Sequence, residues 1–259
     1  MSMSLNMNFL SCIFLECLGS IVIIVLVSHF AYSQDKPLGS PNLGTVPVAD
    51  AGQTPNEIAT ASLSAHGGDK LKKMRSFLAK GPADLNFMGQ AISGFFSIAM
   101  DGDKYHFELI TPFQSMKQVY DGHRTVSSFP GVLMPPIGEM GFFVLQRVGD
   151  SGYLISALVE SKKKRRGFRI TTPDGIVTDF FVNEKTGLIK GYESSYDDSV
   201  RKFTTAGEID EYQAVDGLMI PKKYEQRFDF GQMTGYASYN AKNILVNPQM
   251  AGDAFAIPK

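Results

Sequence analysis

The sequence has no tryptophan and only two cysteines among its 259 residues. Both, Cys12 and Cys17, lie in an apolar N-terminal stretch. The rest of the chain therefore has no disulfide and no thiolate metal site, and its stability must come from a core. A strong net charge is also lacking: the formal value is -1, with 44% hydrophobic and 20% charged residues. Nucleic-acid binding is mainly electrostatic, so no nucleic-acid partner is expected. There is no G-x-S-x-G elbow, no P-loop and no G-x-G-x-x-G. Beyond residue 33 only His66, His106 and His123 remain, and no pair has metal-motif spacing. Asp197-Asp198 and Glu208, Asp210 and Glu211 fall outside any calcium-loop pattern and read as an exposed face or turn. The expectation is a protein that is not an enzyme, with no metal and no cofactor.

Leu18 to Tyr32 is almost continuously apolar, and Ala31-Tyr32-Ser33 supplies small residues where a signal peptidase needs them. Residues 1–33 read as a signal peptide cleaved after Ser33. No Lys or Arg precedes the run, and Glu16 sits beside it, so an uncleaved anchor is the alternative. Residues 34–53 form a linker broken by Pro37, Gly39, Pro41, Gly44 and Pro47. Thr54-Pro55-Asn56-Glu57 then predicts a capping box and a helix that stops at Gly67-Gly68. A short turn follows over 69–75.

After Ser76 the apolar period becomes two. Phe96, Ile98 and Met100 alternate, Asp101-Gly102 turns, and Tyr105, Phe107 and Leu109 alternate back. Asp121-Gly122, Asp174-Gly175 and Asp216-Gly217 repeat the device between strand-like runs. Asn183 to Gly187 reads as a further hairpin loop. The pattern predicts an antiparallel meander.

The strands are interrupted by an insert over 132–160, rich in large apolar residues and carrying few charges. Two short helices are predicted there, 136–148 and 153–160. A meander with one apolar face per strand makes a curved sheet, and such an insert can cover its concave side. Phe96, Ile98, Met100, Phe107 and Leu109 on strands are the candidate cavity residues. Leu133, Met134, Phe142, Phe143 and Leu145 on the insert complete the set. Methionine adapts to flexible ligands. The plain alternative is that these residues fill a solid core. Lys162, Lys163, Lys164, Arg165 and Arg166 form the densest charge run. It reads either as a contact for anionic head groups or a carrier partner, or as a solvated loop after a helix.

From Thr54 onward the order of elements resembles the outer-membrane lipoprotein-sorting protein superfamily. The carrying residues are His66-Gly67-Gly68, then Leu71 to Ser76 leading to Gly81, the Asp101-Gly102 hairpin, Tyr120-Asp121-Gly122, and the apolar insert. Val215-Asp216-Gly217-Leu218-Met219-Ile220-Pro221 and the closing Phe255-Ala256-Ile257-Pro258 follow. The resemblance implies a mainly β fold with a few helices, a half-open antiparallel β-barrel with a helical lid over the concave face, in one domain over 54–259. It implies a carrier of lipoprotein acyl chains or another lipid across the periplasm, with an envelope carrier or receptor as a further partner. Buried methylenes contribute roughly 0.8 kcal/mol each, so two or three chains need no polar contact. The alternative function is a membrane-anchored envelope sensor or structural subunit on the same fold.

Overall fold

The computed structural model describes residues 52–257, apart from 88, 129–136, 163, 198–201 and 231–232. The signal-peptide reading, nearly all of the linker, and the candidate residues Leu133, Met134 and Lys163 therefore lie outside the described residues. No described helix is long and apolar enough to cross a membrane.

Two helices open the fold, α1 (Pro55–Ala65) and α2 (Asp69–Lys72). The capping box forms as the sequence predicts. Glu57 N–H donates to Thr54 Oγ1 at 3.3 Å, and Thr54 N–H donates to Glu57 Oε2 at 2.6 Å. Such a cap contributes about 1 kcal/mol. Gly67 and Gly68 both take positive φ, 113° and 56°, and end the helix.

The strands are β1 (Ser76–Phe87), β2 (Gln90–Asp101), β3 (Lys104–Ile110), β4 (Ser115–Tyr120) and β5 (Thr125–Ser127) in the first half. The second half holds β6 (Leu154–Ser156), β7 (Gly167–Thr171), β8 (Val177–Val182), β9 (Ile189–Asp197), β10 (Lys202–Val215), β11 (Leu218–Phe230), β12 (Met233–Asn240) and β13 (Asn243–Val246). All belong to one antiparallel sheet, ordered β5-β4-β3-β2-β1-β12-β11-β10-β9-β8-β7-β6, with β13 also on β1. Two meanders thus meet at β1. Among the described residues no pairing joins β5 to β6, so the sheet is not a closed barrel.

β1 explains how the meeting works. Phe77 to Lys80 pair with β13, and Ala83 to Phe87 pair with β12. Gly81-Pro82 falls at the change of partner. A Cβ on Gly81 would stand 2.1 Å from the Asn240 carbonyl oxygen. Proline there forfeits no ladder bond on that side, because the ladder is interrupted.

The insert differs from its prediction. Its first helix is short 3-10 structure, Ile137–Glu139 and Gly141–Arg147. The predicted helix over 153–160 is corrected: Leu154–Ser156 is strand β6, paired with β7, and a 3-10 turn Glu160–Lys162 follows. The physical reason is an open edge. β7 needs a partner for its backbone groups, and Leu154 to Ser156 reaches it after the turns at Gly149 and Gly152.

The main core lies between the sheet, the two helices and the Gly141–Arg147 segment. Phe96, Phe168, Phe180, Leu71, Leu145, Ile170, Ile189, Leu218 and Ile220 are all essentially inaccessible. The outer side of β1 to β4 carries its own small cluster, where Phe255 packs with Ala99 and Val119.

Candidate functional site

A cavity of about 140 Å³, partly open to solvent, lies between the sheet and the Gly141–Arg147 segment. From the first meander come Phe77, Ala79, Phe96, Ile98 and Phe107. The second meander adds Tyr192, Phe203, Thr205, Ile209, Ile220, Tyr224, Gln226, Phe228 and Tyr239. Met140, Gly141, Phe142 and Phe143 close it from above. Side-chain alternation places these groups together: β2 offers Phe96 and Ile98 inward, and β11 offers Tyr224, Gln226 and Phe228.

Two polar side chains of the wall, Gln226 and Thr205, are hydrogen-bonded. Gln226 Nε2 donates to Thr205 Oγ1 at 2.9 Å, and Thr205 Oγ1 donates to the Arg227 carbonyl at 2.9 Å. Burial pushes the Tyr192, Tyr224 and Tyr239 hydroxyls well above the usual phenol range, so they stay neutral. The interior therefore presents apolar and neutral surface to an occupant.

The covering segment is fixed at both ends. Gly141 has φ 65°, and its N–H donates to Ser194 Oγ at 3.0 Å. A Cβ there would stand 3.1 Å from the Tyr192 ring. At the other end Lys72 Nζ donates to the Val148 carbonyl at 2.8 Å and pairs with Asp150 at 2.9 Å. Arg147 lies 3.6 Å from Asp103. Between the ends, Phe142 and Phe143 meet edge to face at 5.8 Å, and Phe143 meets Phe77 at 5.1 Å.

His66 supports Phe142 from below. It is fully buried, and its Nδ1–H donates to the Ser62 carbonyl at 2.8 Å. Nε2 then faces the Ile189 N–H at 3.4 Å and the Tyr212 hydroxyl at 3.2 Å. Burial lowers its pKa to about 4, against the backbone bond to Ser62, which raises it. Glu139, beside the covering segment, is held above the usual carboxylate range, mainly by burial and then by Asp174 and Asp103.

Of the candidate cavity residues, Phe96, Ile98, Phe107, Phe142 and Phe143 line the cavity. Met100, Leu109 and Leu145 are buried in the same core but are not in its wall. The sequence reading missed the second meander's contribution, above all Tyr192, Tyr224 and Tyr239. Their signal was present as period-two spacing on β9, β11 and β12, without a partner strand to fix the facing side.

The basic run is divided. Lys162 turns inward, to Asp179 at 2.9 Å and Glu193 at 2.5 Å. Arg165 pairs with Glu193 at 3.2 Å and stacks over Phe181 at 3.7 Å. Arg166 is exposed and bonds the Gln53 side chain, and Lys164 is exposed. Among the described residues no group of three metal-ligating side chains occurs.

No protein-family model and no curated protein matches the sequence. Solved structures do match in shape. A DUF1329 family protein from Desulfovibrio piger has 10% identity and a TM-score of 0.46, over 78% of this chain and 98% of its own. A LolA superfamily protein from Nitrosomonas europaea has 11% identity and a TM-score of 0.46, over 76% and 97%. A putative outer membrane lipoprotein-sorting protein domain from Vibrio parahaemolyticus has 10% identity and a TM-score of 0.39, over 78% and 95%.

Proposed function

We propose that this protein binds the hydrocarbon part of a lipid between its sheet and a lid formed by Gly141–Arg147, and carries it within a bacterial envelope. The observation behind this reading is the cavity itself. Its wall is aromatic and aliphatic, and its polar groups are bonded to one another or neutral. Such a site favours an apolar occupant through the area removed from water. It offers no charged group for a polar head, which would stay outside.

The size sets a condition. An apolar cavity of about 150 Å³ holds one benzene-sized molecule. At about 140 Å³ the closed form takes a short hydrocarbon segment, not the two or three chains that the energy of buried methylenes would allow. A whole acyl chain requires the lid to lift, and the half-open barrel reading belongs to that loaded state. Lys72 and Ser194 fasten the two ends of the lid, and its middle is held by apolar contacts of Phe142, Phe143, Val144 and Leu145. We take residues 54–259 as the carrying domain and the chain from Gln34 as the exported form, acting in the periplasm.

The test uses a dansyl-labelled fatty acid. The protein should enhance and blue-shift its emission. Ala79→Leu narrows the cavity without adding charge, and it should remove that enhancement while the melting temperature holds or rises. Equal binding by the two proteins would overturn the cavity assignment. Mass spectrometry of the envelope-purified chain should give an N-terminus at Gln34. Retention of residues 1–33 would favour the anchored alternative.

A further inference from the structure

Three neighbouring hairpins at one end of the sheet have uncharged tips, unlike the turns at the other end. The turns after β2, β4, β8 and β10 contain Asp101 and Lys104, Asp121 and Arg124, Glu184 and Lys185, and Asp216. The turns after β1, β3, β7, β9 and β11 lie at the opposite end, because these strands run in one direction; those after β7 and β9 carry Asp174, and Asp197 with Lys202, while the three hairpins after β1, β3 and β11 neighbour one another. The sequence has no charged residue between Asp84 and Asp101, between Glu108 and Lys117, or between Asp229 and Lys242. Each of these stretches spans one of the turns.

The same three hairpins carry apolar side chains exposed to solvent. Six of the ten exposed large apolar side chains among the described residues are Phe87, Phe95, Ile110, Phe113, Met233 and Tyr236. Phe113 is 81% exposed, yet its turn is firmly built. Thr111 N–H and Oγ1–H both donate to the Gln114 carbonyl, at 3.0 and 2.9 Å, and Thr111 Oγ1 accepts from Gln114 N–H at 3.2 Å. The ring is presented to solvent by a rigid turn.

This end is also the rim of the cavity. Phe228 lines the cavity, pairs with Gly235, and Gly235 pairs with Phe87. A Cβ on Gly235 would stand 3.0 Å from the Phe87 ring, so the missing side chain lets that ring lie across the row. An apolar path thus runs from the cavity wall to an exposed phenylalanine. The three turns step along the sheet: Ile110 is level with Pro82, Phe87 lies beyond it, and Met233 beyond that. Tilted strands of a curved sheet end in this staggered way.

We propose that this end docks on a lipid bilayer, with Phe87, Phe113 and Met233 entering its interface. The proposal rests on the lipid-carrying reading and adds the surface from which the lipid passes. Separate projecting tips suit a soft medium better than a flat protein partner. The absence of charge on these three tips keeps their desolvation cheap and makes the docking insensitive to salt, unlike attraction to an anionic surface. Uncharged Gln90, Gln114 and Thr234 beside the tips suit the head-group level.

The test uses the full chain with Cys12→Ser and Cys17→Ser, and a bimane reporter at Gln114→Cys or, at the far end, at Glu184→Cys. Vesicles of phosphatidylcholine and phosphatidylethanolamine with brominated acyl chains should quench the reporter at 114 and spare the one at 184. Quenching should persist at 0.5 M salt, about the ionic strength where surface charge is screened. Phe113→Asp should weaken the vesicle-dependent quenching at least about tenfold. An unquenched reporter at 114, or equal quenching at both positions, overturns the proposal. Shielding at 114 by an envelope protein but not by vesicles also overturns it. Dansyl fatty-acid binding is measured on the same proteins. Retained binding without docking sinks this proposal alone, and docking without binding sinks the cavity reading.

Discussion

The ring of His66 stands edge-on to the ring of Phe142, with centroids 5.3 Å apart and planes at 63°. One residue ends the first helix and the other begins the covering segment. The contact joins elements that the sequence separates by the whole first meander. It also ties the cover to a group that must stay uncharged.

That linkage predicts an acid-sensitive fold. His66 has a pKa of about 4 when folded, against an ordinary value of 6.5. Between these values the unfolded chain holds a proton that the native state does not. Stability is therefore full above pH 6.5 and falls as the pH drops toward 4. The loss from this residue should reach about 2 kcal/mol at pH 5. Urea unfolding at pH 7 and pH 5 measures it. His66→Gln should flatten the slope, and an unchanged slope would remove His66 from the account.

Asp179 makes a second prediction. Its side chain is 2% exposed and takes both Arg169 Nε at 2.6 Å and Lys162 Nζ at 2.9 Å. Burial alone would raise its pKa, but the hydrogen bonds from Arg169 and Lys162 outweigh it and hold the carboxyl below the usual range. Asp179→Ala leaves those cations without it and should cost about 3–5 kcal/mol. Lys162→Met removes a partly exposed partner and should cost less. Thermal melts order the two.

Gly81 is predicted to tolerate no side chain. A Cβ there meets backbone atoms of Asn240 and Lys242 at 2.1 and 2.9 Å. Relief requires moving the β12–β13 junction away from β1. Gly81→Ala should lower stability by more than about 2 kcal/mol, at the severe end for a single methyl. A denaturant midpoint within error of the parent would disprove the close approach.

Phe143→Ala probes the cavity from the opposite direction to Ala79→Leu. The ring meets Phe77 and Phe142, so its removal should cost about 3 kcal/mol. It also enlarges the space beneath the lid. Dansyl fatty acid should bind more tightly to this less stable protein. Weaker binding would mean that the ring is a contact the ligand needs rather than an obstacle.

Much of this architecture was legible in the residues. The Thr54 cap, the four Asp-Gly hairpins and the shared facing of Phe96, Ile98 and Phe107 follow from local rules. β1 as a full-length strand was obscured by Gly81-Pro82, which makes sense only once β12 and β13 are known to share its edge. The β6 strand was obscured because three residues carry no period, and an open neighbour decided their form. Lys162 looked like one cation among five. Its partners Asp179 and Glu193 come from cross-strand register, which no run of charges reveals.

The union of Ala83 with Tyr239 has a consequence for how the molecule comes into being. Neither meander can finish its sheet alone, since the seam is sewn by β12 and β13, which are synthesised after every other strand of the sheet. Until they arrive, the earlier half carries an unsatisfied edge and a bare greasy flank. Such late closure slows assembly and invites association with other chains. A chain truncated before β12 should accumulate as aggregate or be degraded, rather than persist as a smaller folded unit.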